Sequence, residues 1–130
     1  MSAYTKRNLK AGVEDMAPKF DLSPDMEYRP AREPLEGEHS AISYLRLAPG
    51  FRMPFGHTHE QQEEIYLVVS GSVRMKLDDE IVELQAWDAI RVAPEVARAP
   101  EAGPNGAEIV AFGAPQVAQD SRMLPEFWPT

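Results

Sequence analysis

Proline and glycine punctuate this chain so closely that no amphipathic helix of ordinary length fits between them. Twelve prolines and eight glycines are spread through 130 residues. The apolar runs between them are short, which predicts many strands joined by turns in an all-β domain. The length suits one domain, and a 43% apolar share suffices for one hydrophobic core.

Residues 1–26 read as an irregular arm, with only isolated apolar positions such as Phe20, Leu22 and Met26. Residues 27–115 read as about eight short strands, and residues 116–130 as a tail. Tyr28 to Arg32 is an edge strand at best, because Pro30 removes a ladder donor. Ser40 to Leu47 is a stronger strand, ended by Pro49-Gly50. Glu64 to Ser70 is the strongest, and its apolar side chains on both faces predict cover on both sides. Gly71 predicts a tight turn. Val73, Met75 and Leu77 then alternate with Arg74 and Lys76, as in a half-buried strand. Asp78-Asp79 turns the chain into Ile81 to Leu84, and Ala89 to Val92 follows. Asn105-Gly106 predicts a two-residue hairpin before Ala107 to Phe112. The tail holds Phe127 and Trp128 between Pro125 and Pro129, which suits packing against the body or a second subunit.

The net charge of −8 disfavours phosphate backbones and anionic membrane surfaces. No dense Lys/Arg cluster offsets it, so neither nucleic acid nor membrane is an expected partner. The absence of cysteine excludes disulfides, zinc–thiolate sites and thiol catalysis. Lys6, Arg7 and Lys10 precede no apolar run of the kind a signal peptide needs, so the expected location is cytoplasmic.

One cluster carries chemistry. His57 and His59 stand at i and i+2, so in an extended chain both imidazoles face one side. Glu64 follows a short polar link, and a hairpin there returns its carboxylate beside them. Two imidazoles and one carboxylate with open positions suit iron(II) and related divalent ions. Phe51, Met53 and Phe55 share parity with the histidines and, in a fully extended segment, add an apolar wall. An apolar cavity with a few convergent polar groups is the usual form of a small-ligand site. Two alternatives stand beside a metal: the histidines as an acid–base pair, or as hydrogen-bonding groups at a rim. Isolated His39 reads as a solvated loop residue, and Tyr44 and Tyr66 read as core residues that could also reach the pocket.

At these residues the chain resembles the cupin family. Gly50, His57, His59, Glu64 and Gly71 match its first motif, with one extra residue between Gly50 and His57. The spacing to Gly71 selects Glu64 over Glu63. The second motif is partly present from Trp87 to Ala102 and keeps Pro94. Trp87 and Glu95 stand where glycines are usual, Ala102 where an asparagine is usual, and Arg98 where the third metal-binding histidine is usual. The resemblance implies a double-stranded β-helix, a jelly-roll barrel with an irregular N-terminal arm, with ligands inside the open mouth and often a homodimer. Family activities range from dioxygenases and isomerases to plain binding proteins, so the fold alone names no reaction.

Arg98 has two physical options, because a guanidinium cannot ligate a metal. It pairs with Glu64, or it stands one step back and grips an anionic substrate group. The first expectation is therefore an enzyme using iron, manganese, nickel or zinc, held by His57, His59 and Glu64. Its substrate would be a small organic acid or phenolic compound, and Arg98 would join the histidines in the reaction. The alternative is a metal-free pocket with Arg98 paired to Glu64, binding a metabolite or performing acid–base isomerisation.

Overall fold

The computed structural model describes residues 3–129. Its strands are β1 (Met26–Pro30), β2 (Ala41–Leu47), β3 (Gly56–His59), β4 (Glu63–Leu77), β5 (Glu80–Gln85), β6 (Ala89–Val92), β7 (Arg98–Ala114) and β8 (Ser121–Leu124). A 3-10 turn at Ala17–Phe20 and a one-turn helix, α1 (Arg32–Leu35), are the helical elements among the described residues. None is long and apolar enough to cross a membrane.

The two long strands organise the rest. β4 and β7 pair antiparallel from Glu63 opposite Ala114 to Leu77 opposite Arg98. On its other side β7 carries β2 along Ala107 to Gly113 and β3 at Arg98. β4 likewise carries β6 along Glu64 to Leu67 and β5 along Ser72 to Leu77. The long strands are thus shared by two five-stranded halves, β1-β2-β7-β4-β6 and β8-β3-β7-β4-β5. The halves face each other across one core, which is the double-stranded β-helix. Met26, Leu47, Val68, Val73, Met75 and Ile109 are sealed inside it.

Three sequence expectations need correction. Gly71 is not a turn and Asn105-Gly106 is not a hairpin: both lie inside long strands. The β4–β7 register shifts between Val68 and Ser70 and again between Gly71 and Val73. Gly71 and Gly106 adopt φ of 74° and 77°. A left-handed glycine serves a bulge as readily as a turn, and distant strand pairing decides between them. Nor is the strongest strand covered on both faces. Tyr66 and Val68 are buried, but Ile65 on the outer side is 39% exposed. Only part of that outer face is covered by the arm, where Lys10 sits over the Tyr44 ring and pairs with Glu108 at 2.7 Å.

Both ends of the chain contribute to the body. Ala17 and Leu22 of the arm join the core, and the Met16 N–H donates to the Tyr28 carbonyl. In the tail, β8 pairs with β3 from Ser121 opposite His59 to Leu124 opposite Gly56.

The close approach at Gly71 makes a sharp test. A Cβ there would lie 1.9 Å from the Gly106 carbonyl oxygen. Gly71→Ala is expected to lower stability by about 2 kcal/mol or more, read as a fall in the urea midpoint. Trp87 is the opposite case. It holds φ 74° where the resembled motif has glycine, and its side chain is largely exposed. Trp87→Gly is expected to raise stability by about 1 kcal/mol, because the left-handed strain disappears and little packing is lost.

Candidate functional site

The histidine pair sits on β3, where Gly56–His59 is extended and alternates its side chains. β3 is held on both sides, by β8 along its length and by β7 at Arg98. The polar link 60–62 then reverses the chain, and β4 brings Glu64 back beside the imidazoles. His57 Nε2 and His59 Nε2 each lie 3.2 Å from Glu64 Oε1. The three donor atoms all fall within 4.8 Å of one another. Ligands at right angles on an ion bonded at about 2.1 Å stand about 3.0 Å apart, so the two contacts with Glu64 fit one coordination sphere.

Glu64 is the hub. Its Oε1 accepts from the Tyr66 hydroxyl at 2.6 Å and from Arg98 Nη1 at 3.1 Å. Burial raises the acid's pKa, but the His57 and His59 rings and the Tyr66 hydroxyl outweigh it and hold it well below the usual range. Glu64 is therefore an anion at neutral pH. Burial and then the Glu64 charge push the Tyr66 phenol well up, so it keeps its proton as a donor.

His59 is oriented from behind by Asp120, a residue that the sequence reading did not single out. Asp120 Oδ2 lies 3.1 Å from His59 Nδ1. The same carboxylate accepts the N–H groups of Gln61 and Gln62, each at 3.0 Å, and so also shapes the link between the histidines and Glu64. Burial raises the Asp120 pKa, but the two N–H donors and His59 outweigh it and lower it. An ionised carboxylate only accepts, so the Nδ1 that faces Asp120 carries a proton. The Nε2 of the same ring is buried and has no hydrogen-bond partner. It lies 3.2 Å from Glu64 Oε1, a gap that a proton on the ring or a shared divalent ion would fill.

Arg98 takes the first of its two options. Its side chain is fully enclosed, with Nη1 on Glu64 and Nη2 donating to the Ala93 carbonyl at 2.7 Å. It faces the carboxylate and not the open cavity. Glu63 points outward and pairs with Arg91 at 3.4 Å. His39 is exposed, and Tyr44 bonds Glu108 on the outer face.

The site opens into a cavity of about 840 Å³. Met53, Phe55 and Tyr28 line it with the histidines, Glu64 and Tyr66, whereas Phe51 packs against the core. The tail supports this wall. The Trp128 indole N–H donates to the Met53 carbonyl at 2.8 Å, and the Arg52 guanidinium lies 4.3 Å from the Trp128 ring. Phe127 fills the space a Cβ at Gly56 would need. A separate hollow of about 500 Å³ on the outer face, beside Ile65 and Phe112, contains no imidazole.

Asp120→Ala is expected to cost about 2 kcal/mol, by unpairing two backbone N–H groups, read as a fall in the urea midpoint. Because the folded pKa is depressed, the acid's contribution is full above its unfolded value near 4 and is lost as pH falls through the folded value. In thermal unfolding from pH 7 to pH 2, the gap between the wild type and Asp120→Asn should therefore close at the acid end.

A family model described as Cupin domain matches residues 43–109. Among solved structures, a cupin protein from Bacteroides fragilis is 26% identical, covering 92% of this chain and 91% of its own, with a TM-score of 0.70. Streptomyces PAC13 with uridine is 18% identical, covering 95% and 92%, with a TM-score of 0.74. KdgF from Halomonas sp. is 15% identical, covering 90% and 97%, with a TM-score of 0.69. No curated protein sequence matches the chain.

Proposed function

This chain belongs to the cupin family, and we propose that it is a metal-dependent enzyme, dioxygenase- or isomerase-like, acting on a small organic acid or phenolic compound. One observation carries the reading: ligand atoms of His57, His59 and Glu64 converge within 4.8 Å of one another, and the buried His59 Nε2 among them has no hydrogen-bond partner. His57 Nε2, His59 Nε2 and Glu64 would hold the ion, drawn from iron, manganese, nickel or zinc, since nitrogen and oxygen donors select weakly among them. The ion supplies Lewis acidity toward a substrate oxygen or dioxygen.

The chain's own residues supply the rest. Asp120 fixes the His59 tautomer and ring orientation. Tyr66 holds a proton at Glu64 Oε1 and steadies that oxygen. Arg98 balances the buried negative charge and, having no exposed surface, acts through Glu64 and not by touching substrate. Met53 and Phe55 exclude water from one side of the cavity.

A second reading has its own support in the Arg98–Glu64 contact of 3.1 Å. A permanent cation on the proposed carboxylate ligand opposes a bound dication, and a metal-free pocket would then use a histidine for acid–base isomerisation. Elemental analysis of untagged protein separates the two. The metal reading expects about one divalent ion per chain, lost in His57→Ala and His59→Ala. It also expects the melting temperature to rise with saturating ion, by about 4 kcal/mol of stability at a thousand times Kd. No metal, together with a melting temperature indifferent to chelator and to added ions, selects the metal-free pocket.

A further inference from the structure

The charges that line the cavity discriminate between the two substrate classes left open above. We infer that the cavity takes a neutral phenol and excludes carboxylates and other permanent anions. The inference rests on reading this cavity as the substrate site. Among the described charged side chains that line it, Glu64 and Asp120 are acids inside the cavity, Glu14 and Glu33 are acids at its solvent-exposed edge, and Arg32 alone is an arginine or lysine. Arg32 is already engaged: its Nη1 donates to the Gly37 carbonyl at 3.2 Å, and its Nη2 lies 3.6 Å from Glu33. Arg98, the guanidinium that would grip an organic acid, is walled off behind Glu64.

An anion entering this space gives up its hydration and meets no free cation in return. A phenol avoids this penalty. It enters neutral and can lose its proton only where a cation receives the oxygen.

The wall fits the other end of such a molecule. Met53, Met123, Phe20 and Phe55 line the cavity. Thioethers and ring faces pack well on a flat aromatic ring. Polar complement is sparse and neutral. Ser43 and Tyr28 share the same wall, and burial followed by the Glu64 charge raises the Tyr28 phenol, which stays a donor.

The test is calorimetric titration of the full chain with matched pairs, phenol against benzoate and catechol against salicylate. Each is run on chelator-stripped and on manganese-loaded protein. The expected result is that each phenol binds at least about tenfold tighter than its carboxylate partner on the stripped protein, while the manganese-loaded form tests the metal reading. Benzoate binding as tightly as phenol to stripped protein overturns the inference, as does failure of both phenol and catechol to bind at about 10 mM, the ceiling of a weak specific site. The outcomes remain distinguishable from failure of the metal reading. If manganese does not bind, that reading falls, while the stripped protein still decides between phenol and benzoate. If manganese binds and benzoate wins on the stripped protein, only the preference for phenols falls.

Discussion

The contact between Arg98 and Glu64 measures how far this sheet is curled. On the β4–β7 ladder Glu64 stands opposite Gly113, and Arg98 stands opposite Leu77. Laid flat, those two rungs would be about 43 Å apart at about 3.3 Å per residue. The guanidinium nevertheless lies 3.1 Å from the carboxylate. The ladder has folded over so that its two ends meet across the barrel. The bend is made at Gly71 and Gly106, whose left-handed backbones lie too close for any side chain at Gly71. Each long strand can then serve both halves, and every other part of the site is placed by that geometry.

The closing contact is also the electrostatic centre. Glu64 is largely buried yet ionised, because the two imidazoles and the Tyr66 hydroxyl gather at one oxygen. Buried ion pairs contribute little net stability once desolvation is counted, so such a cluster serves function and register more than folding energy. Asp120 extends it. One carboxylate satisfies two N–H groups in the link 60–62 and sets the proton on His59. The reversal that returns Glu64 to the histidines and the tautomer of one of those histidines therefore share a cause. β8 supplies Asp120's surroundings and pairs with the histidine strand, so the C-terminal segment is part of the site's support.

Much of this was legible in the residues themselves. Alternation placed most strands, and the His-x-His step with Glu64 identified the donors, because both depend on neighbours in sequence. The glycines show the limit of local reasoning. Gly71 and Gly106 announce positive φ, but a turn and a bulge need the same φ, and only the partner strand distinguishes them. Ile65 shows another limit: the apolar character of an outer face does not say how much of it is covered. Asp120 was invisible because it stands 61 residues from His59 in an ordinary polar stretch, with no spacing that ties the two.

The sequence by itself determined an all-β chain and three donors that could meet at one point, since period-two patterning and i, i+2 geometry act over a few residues. The tertiary structure decided what those donors face. It chose between two fates for Arg98, recruited Asp120, and gathered the acids and methionines that line the cavity. Those outcomes depend on distances between residues far apart in the chain, and strand pairing across a closed barrel sets such distances.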